Sequence, residues 1–290
     1  MPHKPPPFST LEYWDERFTE NSSAFDWLLP PNSLDAPIVQ ALNSCKGDKP
    51  TIMHIGCGTS VLSLHLRAHV EDPQQIHNVD FSRAAIELGA RWEQQLSEAN
   101  DRPQKSSEDT KLPRMRWSVA DLLSLPSIID LSLDGSEKYD VIVEKSTSDA
   151  VACGEDVSIP LPYPLRSVWH FDSSFPKRSG LVHPCHILAA HLAFLSKPGA
   201  TWIAISYSSN RFPFLPPYPS SNEEGRLSQE IVANGFPHPA TLWNLVRKEQ
   251  VEAPDAKANG EHDENFVHRP KVSHWLYVLV RTNEPLELVK

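Results

Sequence analysis

No run in this 290-residue chain approaches the roughly 20 consecutive apolar residues that cross a bilayer. Its hydrophobic residues, 40% of the total, are spread over strand-sized segments. No membrane partner is expected. Met1 to Ser9 are proline-rich and lack the apolar stretch of a secretory signal. Cysteine is scarce. Cys45, Cys57, Cys153 and Cys185 form no CxxC pair, which argues against a disulfide framework and a short-spaced zinc site. These absences together read as a soluble, cytoplasmic protein with free thiols. A basic excess is missing too. The formal charge is -10, against the positive footprint that nonspecific nucleic-acid binding needs. No internal repeat is present.

The length suits one large α/β domain. We expect a flexible tail over 1–8, then a single domain over 9–290 with insertions near 154–182, 208–222 and 252–270. Ser9-Thr10-Leu11-Glu12 has the form of a capping box and predicts a helix to about Thr19. Apolar spacing predicts a helix over Leu34–Leu42. Alternating strands and helices then follow: strand Thr51–Ile55, helix Val61–Val70, strand Ile76–Val79, and a helix opened by Ser82 and reaching about Ala99. Strands are predicted at Met115–Val119, Tyr139–Val143 and Thr201–Tyr207, with a helix at His183–Leu195 ended by Lys197-Pro198-Gly199. Two last strands, near Ala240–Lys248 and Ser273–Arg281, lack a helix between them. The pattern implies an α/β, Rossmann-like sheet of seven strands with an antiparallel pair at its C-terminal edge.

Residues 154–182 show no regular period but hold Pro160, Pro162, Pro164 and Pro176 among Tyr163, Trp169, His170 and Phe171. Long irregular insertions are commonly functional lids, and the aromatic content speaks for order.

The chemistry-bearing residues sit at strand ends. Gly56-Cys57-Gly58 lies between the first strand and its helix, where glycine lets a ligand approach the backbone. A third glycine is missing: Val61 stands where the dinucleotide fingerprint G-x-G-x-x-G places it, so no pyrophosphate cradle is formed. Asp80 closes the second strand, 24 residues beyond Gly56, where a carboxylate accepts both ribose hydroxyls. Asp121-Leu122 follow the third strand, where an acid meets an adenine amino group and its neighbour covers the ring. The fourth strand runs directly into Glu144-Lys145-Ser146-Thr147-Ser148-Asp149-Ala150. Lys145 and Asp149 also have the spacing of an exposed i,i+4 pair.

Tyr13-Trp14-Asp15-Glu16-Arg17-Phe18, Phe25-Asp26-Trp27, the glycine loop and the Glu144–Ala150 segment, in that order, resemble the elongation factor 1A lysine methyltransferase 4 group of the methyltransferase-like 13 family. The likeness spans roughly residues 10 to 210. Phe18 and Phe25 stand where the family has tyrosine. The resemblance implies a class I fold and S-adenosyl-L-methionine as cofactor. It implies donor contacts at Trp14, Phe18, Phe25, Gly56, Gly58, Asp80, Asp121, Leu122 and Lys145. It also implies a protein-lysine N-methyltransferase acting on a substrate such as translation elongation factor 1A.

Methyl transfer from a sulfonium is an in-line displacement that mainly needs positioning and dryness. Aromatic faces of Trp14, Phe18 and Phe25 suit the cation. Glu144 or Asp149 is expected to orient an acceptor amine, with Tyr163, Trp169 and His170 closing over it as a lid. Two other readings stand beside lysine: a small-molecule N-, O- or S-methyltransferase with an aromatic lid, and a non-catalytic donor-binding protein. His183 and His186 are three apart on an expected helix with no carboxylate at matching spacing, so no metal site is expected.

Overall fold

The structure, a computed structural model, describes residues 6–100, 113–133, 138–167, 177–219, 225–253 and 273–289. The helices are Leu11–Glu20 (α1), Asp35–Ser44 (α2), Leu62–His65 (α3), Arg83–Asn100 (α4), Leu125–Leu133 (α5), Thr147–Val151 (α6), Pro184–Leu195 (α7), Gln229–Ala233 (α8) and Pro239–Leu242 (α9). The first strands are Ile52–Ile55 (β1), Ile76–Asp80 (β2), Arg116–Val119 (β3) and Tyr139–Lys145 (β4). Three shorter ones follow, Val157–Leu161 (β5), Leu165–Arg166 (β6) and Arg178–Val182 (β7). The last are Ser196–Ser206 (β8), Trp243–Glu252 (β9), Ser273–Arg281 (β10) and Glu287–Leu288 (β11).

Seven of these strands form one sheet in the order β3-β2-β1-β4-β8-β10-β9. The first five in that order are mutually parallel, and β10 runs antiparallel between β8 and β9. This is the expected seven-stranded class I arrangement with its antiparallel edge. β1 and β2 are buried at every position, as strands covered on both faces must be. β9, at the edge, alternates exposed and half-buried residues along most of its length. Along β8, Trp202 and Ala204 enter the apolar layer built with α5, α7 and α9. Ile203 and Ile205 enter the layer under α2 and α3, as the two-residue period of a strand requires.

The strand order reverses between β1 and β4. Open α/β sheets bind ligands at such a switch point, outside the carboxyl ends of the strands. β1 runs into the glycine loop there, and β4 into Glu144–Ala150.

Several local expectations are corrected. Ser9 does not cap α1: Thr10 is the N-cap and makes no side-chain cap bond. The Thr10 hydroxyl donates to Pro7 O at 3.0 Å. The Trp14 indole donates to Phe8 O at 2.6 Å, which draws the chain back into a turn. Residues 154–182 are not without regular structure. β5 pairs antiparallel with β7 from Val157↔Val182 to Leu161↔Arg178, and β6 pairs with β11. Ile159 and Leu161 point inward while Ser158 and Pro160 face out. Proline is tolerated in such outlying strands, and its density hid the two-residue period. This ladder, with Phe212, Phe214 and Leu215, belongs to the same apolar layer as α7. That explains why 11 of the 12 residues of α7 are buried: a helix apolar on all sides needs cover on all sides.

Lys197-Pro198-Gly199 does not separate helix from strand. β8 begins at Ser196, and the tripeptide forms a bulge between Tyr139↔Ser196 and Val141↔Thr201, with Gly199 at φ +85°. The helix expected over 61–70 is one α-turn, α3, followed by a 3₁₀ turn Leu66–His69. The penultimate strand starts at Trp243 because Pro239–Leu242 forms α9. No helix among the described residues is long and apolar enough to cross a membrane.

Candidate donor and acceptor site

The glycine loop is tight enough to exclude side chains. Gly56 sits at φ +54° and Gly58 at φ +47°, a region where an L side chain is strained. A Cβ on Gly56 meets Thr147 Oγ1 at 2.2 Å, and one on Gly58 meets Phe18 Cζ at 3.1 Å. The Thr147 hydroxyl is pinned by donating to Ile55 O at 3.0 Å. The loop also folds on its own amides: Cys57 N donates to Val79 O at 3.2 Å and Ser60 N to Cys57 O at 3.1 Å.

Asp80 organises the next strand end. One carboxylate oxygen accepts from Gly58 N at 2.8 Å and the other from Ser82 N at 2.8 Å. The Ser82 hydroxyl donates to Asp15 at 2.5 Å, which fastens α1 beside the loop. Burial raises the Asp80 carboxyl to about 6, against the lowering effect of the Ser82 and Gly58 amides. Asp121 is exposed and accepts from Leu123 N at 2.8 Å, while Leu122 is buried beside it. Gly56, Gly58, Asp80, Asp121 and Leu122 thus lie along the carboxyl-end rim of β1, β2 and β3.

α1 roofs the rim. Trp14 stacks on Phe18 at a ring separation of 5.5 Å, and both pack with Ala85 of α4. Phe25 is exposed. Arg17 lies 4.8 Å from its ring centre, and its backbone N–H donates to Thr59 O at 3.1 Å, so it stands at the mouth of the loop.

The end of β4 carries the densest polar network. Lys145 and Asp149 do not form the i,i+4 pair. The Lys145 ammonium is held by Asp26 and by Leu29 O, and Asp26 also accepts from Ser60 at 2.5 Å. Lys145 therefore locks segment 25–29 onto the loop, and burial lowers its pKa against the opposing pull of Asp26. Asp149 forms a buried ion pair with Arg211 at 2.6 Å. It also accepts from Ser146 Oγ, Ser206 Oγ and Tyr207 N. Glu144 is fully buried, accepts from Ser148 N at 2.7 Å, and leaves Oε1 without a protein partner. Desolvation raises it to about 7. Ser146, at φ +65°, turns the chain sharply between these groups.

Of the three expected lid residues, the structure describes Tyr163 alone. Trp169 and His170 lie outside the described residues. Tyr163 is 2% exposed and packs on Phe236. Its hydroxyl meets His191 Nε2 at 2.6 Å, and His191 Nδ1 meets Leu122 O at 2.7 Å. The carbonyl makes Nδ1 the donor, so Nε2 accepts the phenol proton. Burial lowers His191 to about 4, keeping it neutral. Tyr163→Phe strands that acceptor and is expected to lower unfolding free energy by about 1–3 kcal/mol, measured in urea. A loss of turnover with stability unchanged would instead place Tyr163 at the reaction.

Asp15, Asp26, Ser206 and Arg211 were not singled out in the sequence. Asp15 and Asp26 lie inside the aromatic segments that carried the resemblance, and that was their only signal. Beside the β4 end, a cavity of about 600 Å³ is lined by Phe212, Leu215, Tyr218, Leu245, Lys248 and Tyr277, among others. Tyr277 links it to the rim, because its hydroxyl accepts from Arg211 N at 3.3 Å. No carboxylate lines it among the described residues.

No family model matches the chain. It is 34% identical over 155 residues to methyltransferase srdJ of Neurospora crassa, covering 53% of this chain and 58% of that protein. The chain thus spans little more than half the length of that relative. It is 24% identical over 238 residues to EEF1A lysine methyltransferase 4 of Mus musculus, covering 81% of this chain and 75% of that protein. A solved SAM-dependent methyltransferase from Anabaena variabilis aligns over 97% of this chain and 96% of its own, at 11% identity and a TM-score of 0.46. The chain has the fold of the class I, S-adenosyl-L-methionine-dependent methyltransferases, gathers Gly56, Gly58, Asp80, Asp121 and Leu122 at the ends of its parallel strands, and is similar in sequence to two curated methyltransferases.

Proposed function

We propose that the chain is an S-adenosyl-L-methionine-dependent methyltransferase. The observation that carries this reading is the single rim formed by Gly56, Gly58, Asp80, Asp121, Leu122 and the end of β4 at the switch point of the sheet. The rim suits a ribose and an adenine without a phosphate. The donor supplies an activated methyl on a sulfonium. The protein's own work is to bind and orient: Asp80 faces the ribose hydroxyls, Leu122 covers the base, and Trp14 and Phe18 offer aromatic faces and exclude water.

For the acceptor, the geometry favours a small neutral or anionic molecule. Asp149 is consumed by Arg211, Glu144 is covered and raised to about 7, and the adjoining cavity carries Lys248. Among the described residues, neither carboxylate at the β4 end is exposed and none lines the cavity, so no ammonium partner is offered there. The second reading is a lysine side chain of a protein, with elongation factor 1A as the candidate. It is supported by the four resembling segments and by the mouse relative, whose match spans 81% of this chain. A cytoplasmic location belongs to the same proposal, supported by the four free cysteines.

Incubating the chain and labelled donor with a cell lysate, then separating protein from small molecules, tests both. Label in the small-molecule fraction supports the first reading. A labelled band near the mass of elongation factor 1A supports the second. Failure to bind the donor or S-adenosylhomocysteine in calorimetry would sink the enzyme reading itself.

A further inference from the structure

Three side chains outside the donor rim converge without any role in it. Asp35 opens α2, His65 closes α3, and His69 closes the 3₁₀ turn that follows. Asp35 Oδ1 lies 2.6 Å from His65 Nε2 and 3.0 Å from His69 Nε2. One ligand atom from each residue lies within 4.8 Å of the other two. We propose that Asp35, His65 and His69 form a binding site for a divalent transition-metal ion, zinc in the first instance, which ties α2 to the helical turn leaving the glycine loop.

The local order explains the convergence. His65 and His69 are four residues apart, so one helical turn sets both imidazoles on the same face, with ring centres 5.4 Å apart. Asp35 comes from a separate helix and approaches from the opposite side. Two imidazoles and one carboxylate form a three-ligand zinc set with a fourth position open to water. Tetrahedral zinc, with bonds near 2.0–2.2 Å, holds its ligand atoms about 3.3 Å apart. The contacts of 2.6 and 3.0 Å open to that value by about 0.7 and 0.3 Å. Side-chain exposures of 43% for Asp35, 29% for His65 and 12% for His69 leave an entry path. Nitrogen donors disfavour magnesium and calcium, which take oxygen ligands.

The other close histidine pair is engaged elsewhere. His183 Nδ1 accepts from Cys185 N, and His186 Nε2 meets Gly225 O. At Asp35 both imidazole Nε2 atoms face Oδ1, and among the described residues these three atoms make no other hydrogen bond.

The placement gives the ion a consequence. The segment carrying His65 and His69 leaves directly from Gly56–Ser60, and α2 packs in the same apolar layer beneath the sheet. Zinc bound here clamps the exit of the loop and stabilises only the folded chain.

The test is calorimetric titration of the full chain, stripped with chelator, with zinc chloride at about pH 7.5, where imidazole is neutral. One ion per chain is expected, with a rise in melting temperature and no response to magnesium. Loss of a group that merely supports a ligand costs about 10–100-fold in metal affinity, so His69→Ala and Asp35→Asn are each expected to weaken zinc by at least that much. Both variants should keep binding S-adenosylhomocysteine, which shows that they fold. Absence of zinc binding, or equal binding by wild type and both variants through other histidines or cysteines, overturns the proposal. Should a variant not fold, cobalt(II) titration of the unaltered chain decides. Intense four-coordinate visible bands support the site, and the weak spectrum of hydrated cobalt overturns it.

Discussion

Gly56→Ala is expected to weaken S-adenosylhomocysteine about 30- to 4000-fold. Two costs act together. A residue with a Cβ at φ +54° is strained by about 1–2 kcal/mol. The new methyl also overlaps Thr147 Oγ1, Cγ2 and Cβ at 2.2, 2.6 and 2.9 Å, and overpacking of this kind costs about 1–3 kcal/mol. Thr147 does not yield easily, because its hydroxyl bonds Ile55 O at the end of β1. The loop relieves the clash by moving, and the movement disturbs the Gly58 N–Asp80 contact and the backbone path against which the donor packs. A total of about 2–5 kcal/mol, at 1.4 kcal/mol per tenfold, sets the range. Gly58→Ala is expected to do less, since its nearest neighbour is the edge of the Phe18 ring at 3.1 Å, which can pivot. Calorimetry with a thermal melt as folding control measures both. If Gly56→Ala binds and melts as wild type does, the loop does not hold the donor.

Asp80→Asn is expected to lower donor affinity about 100-fold and to remove the part of its pH dependence centred near 6. The carboxylate accepts from Gly58 and Ser82 and is the acceptor for the ribose hydroxyls. Hydrogen bonds to a charged group contribute about 1.5–3 kcal/mol each. An amide supplies one acceptor and turns a donor toward one of the two backbone N–H groups. The sign of the pH effect follows from burial. Desolvation raises the Asp80 carboxyl from 3.8 to about 6, so the ionised form opposes folding. Stability contributed by the neutral form is present at low pH and is lost as pH rises through about 6. Donor binding runs the other way, because the ribose hydroxyls need the carboxylate. Wild-type affinity should therefore rise from about pH 5 to pH 7, and Asp80→Asn should lose the part of that rise centred near 6. Glu144, raised to about 7, is present in both proteins, so the difference between them isolates Asp80. An identical pH profile in the two would remove Asp80 from the donor site.

The rim was legible because its parts are local. A buried parallel strand is an apolar run, a glycine pair marks a positive-φ turn, and an acid at the next strand end needs only correct counting. The Arg211–Asp149 pair spans 62 residues and the Lys145–Asp26 pair spans 119. No periodicity reports such partners, since they depend on where distant strands come to rest. Tyr163 shows the converse. Its aromatic, proline-rich surroundings read as a lid, yet the chain after β5 carries it into the apolar layer of α7, against His191.

The strand alternation, the loop Gly56-Cys57-Gly58 and the acids at two successive strand ends were determined by the sequence alone, because backbone geometry and hydrophobic period act over a few residues. Only the tertiary structure decided that Asp149 is paired with Arg211, that Lys145 serves Asp26, and that Asp35 meets His65 and His69. Those facts depend on which side chains arrive at a common point after the sheet has closed.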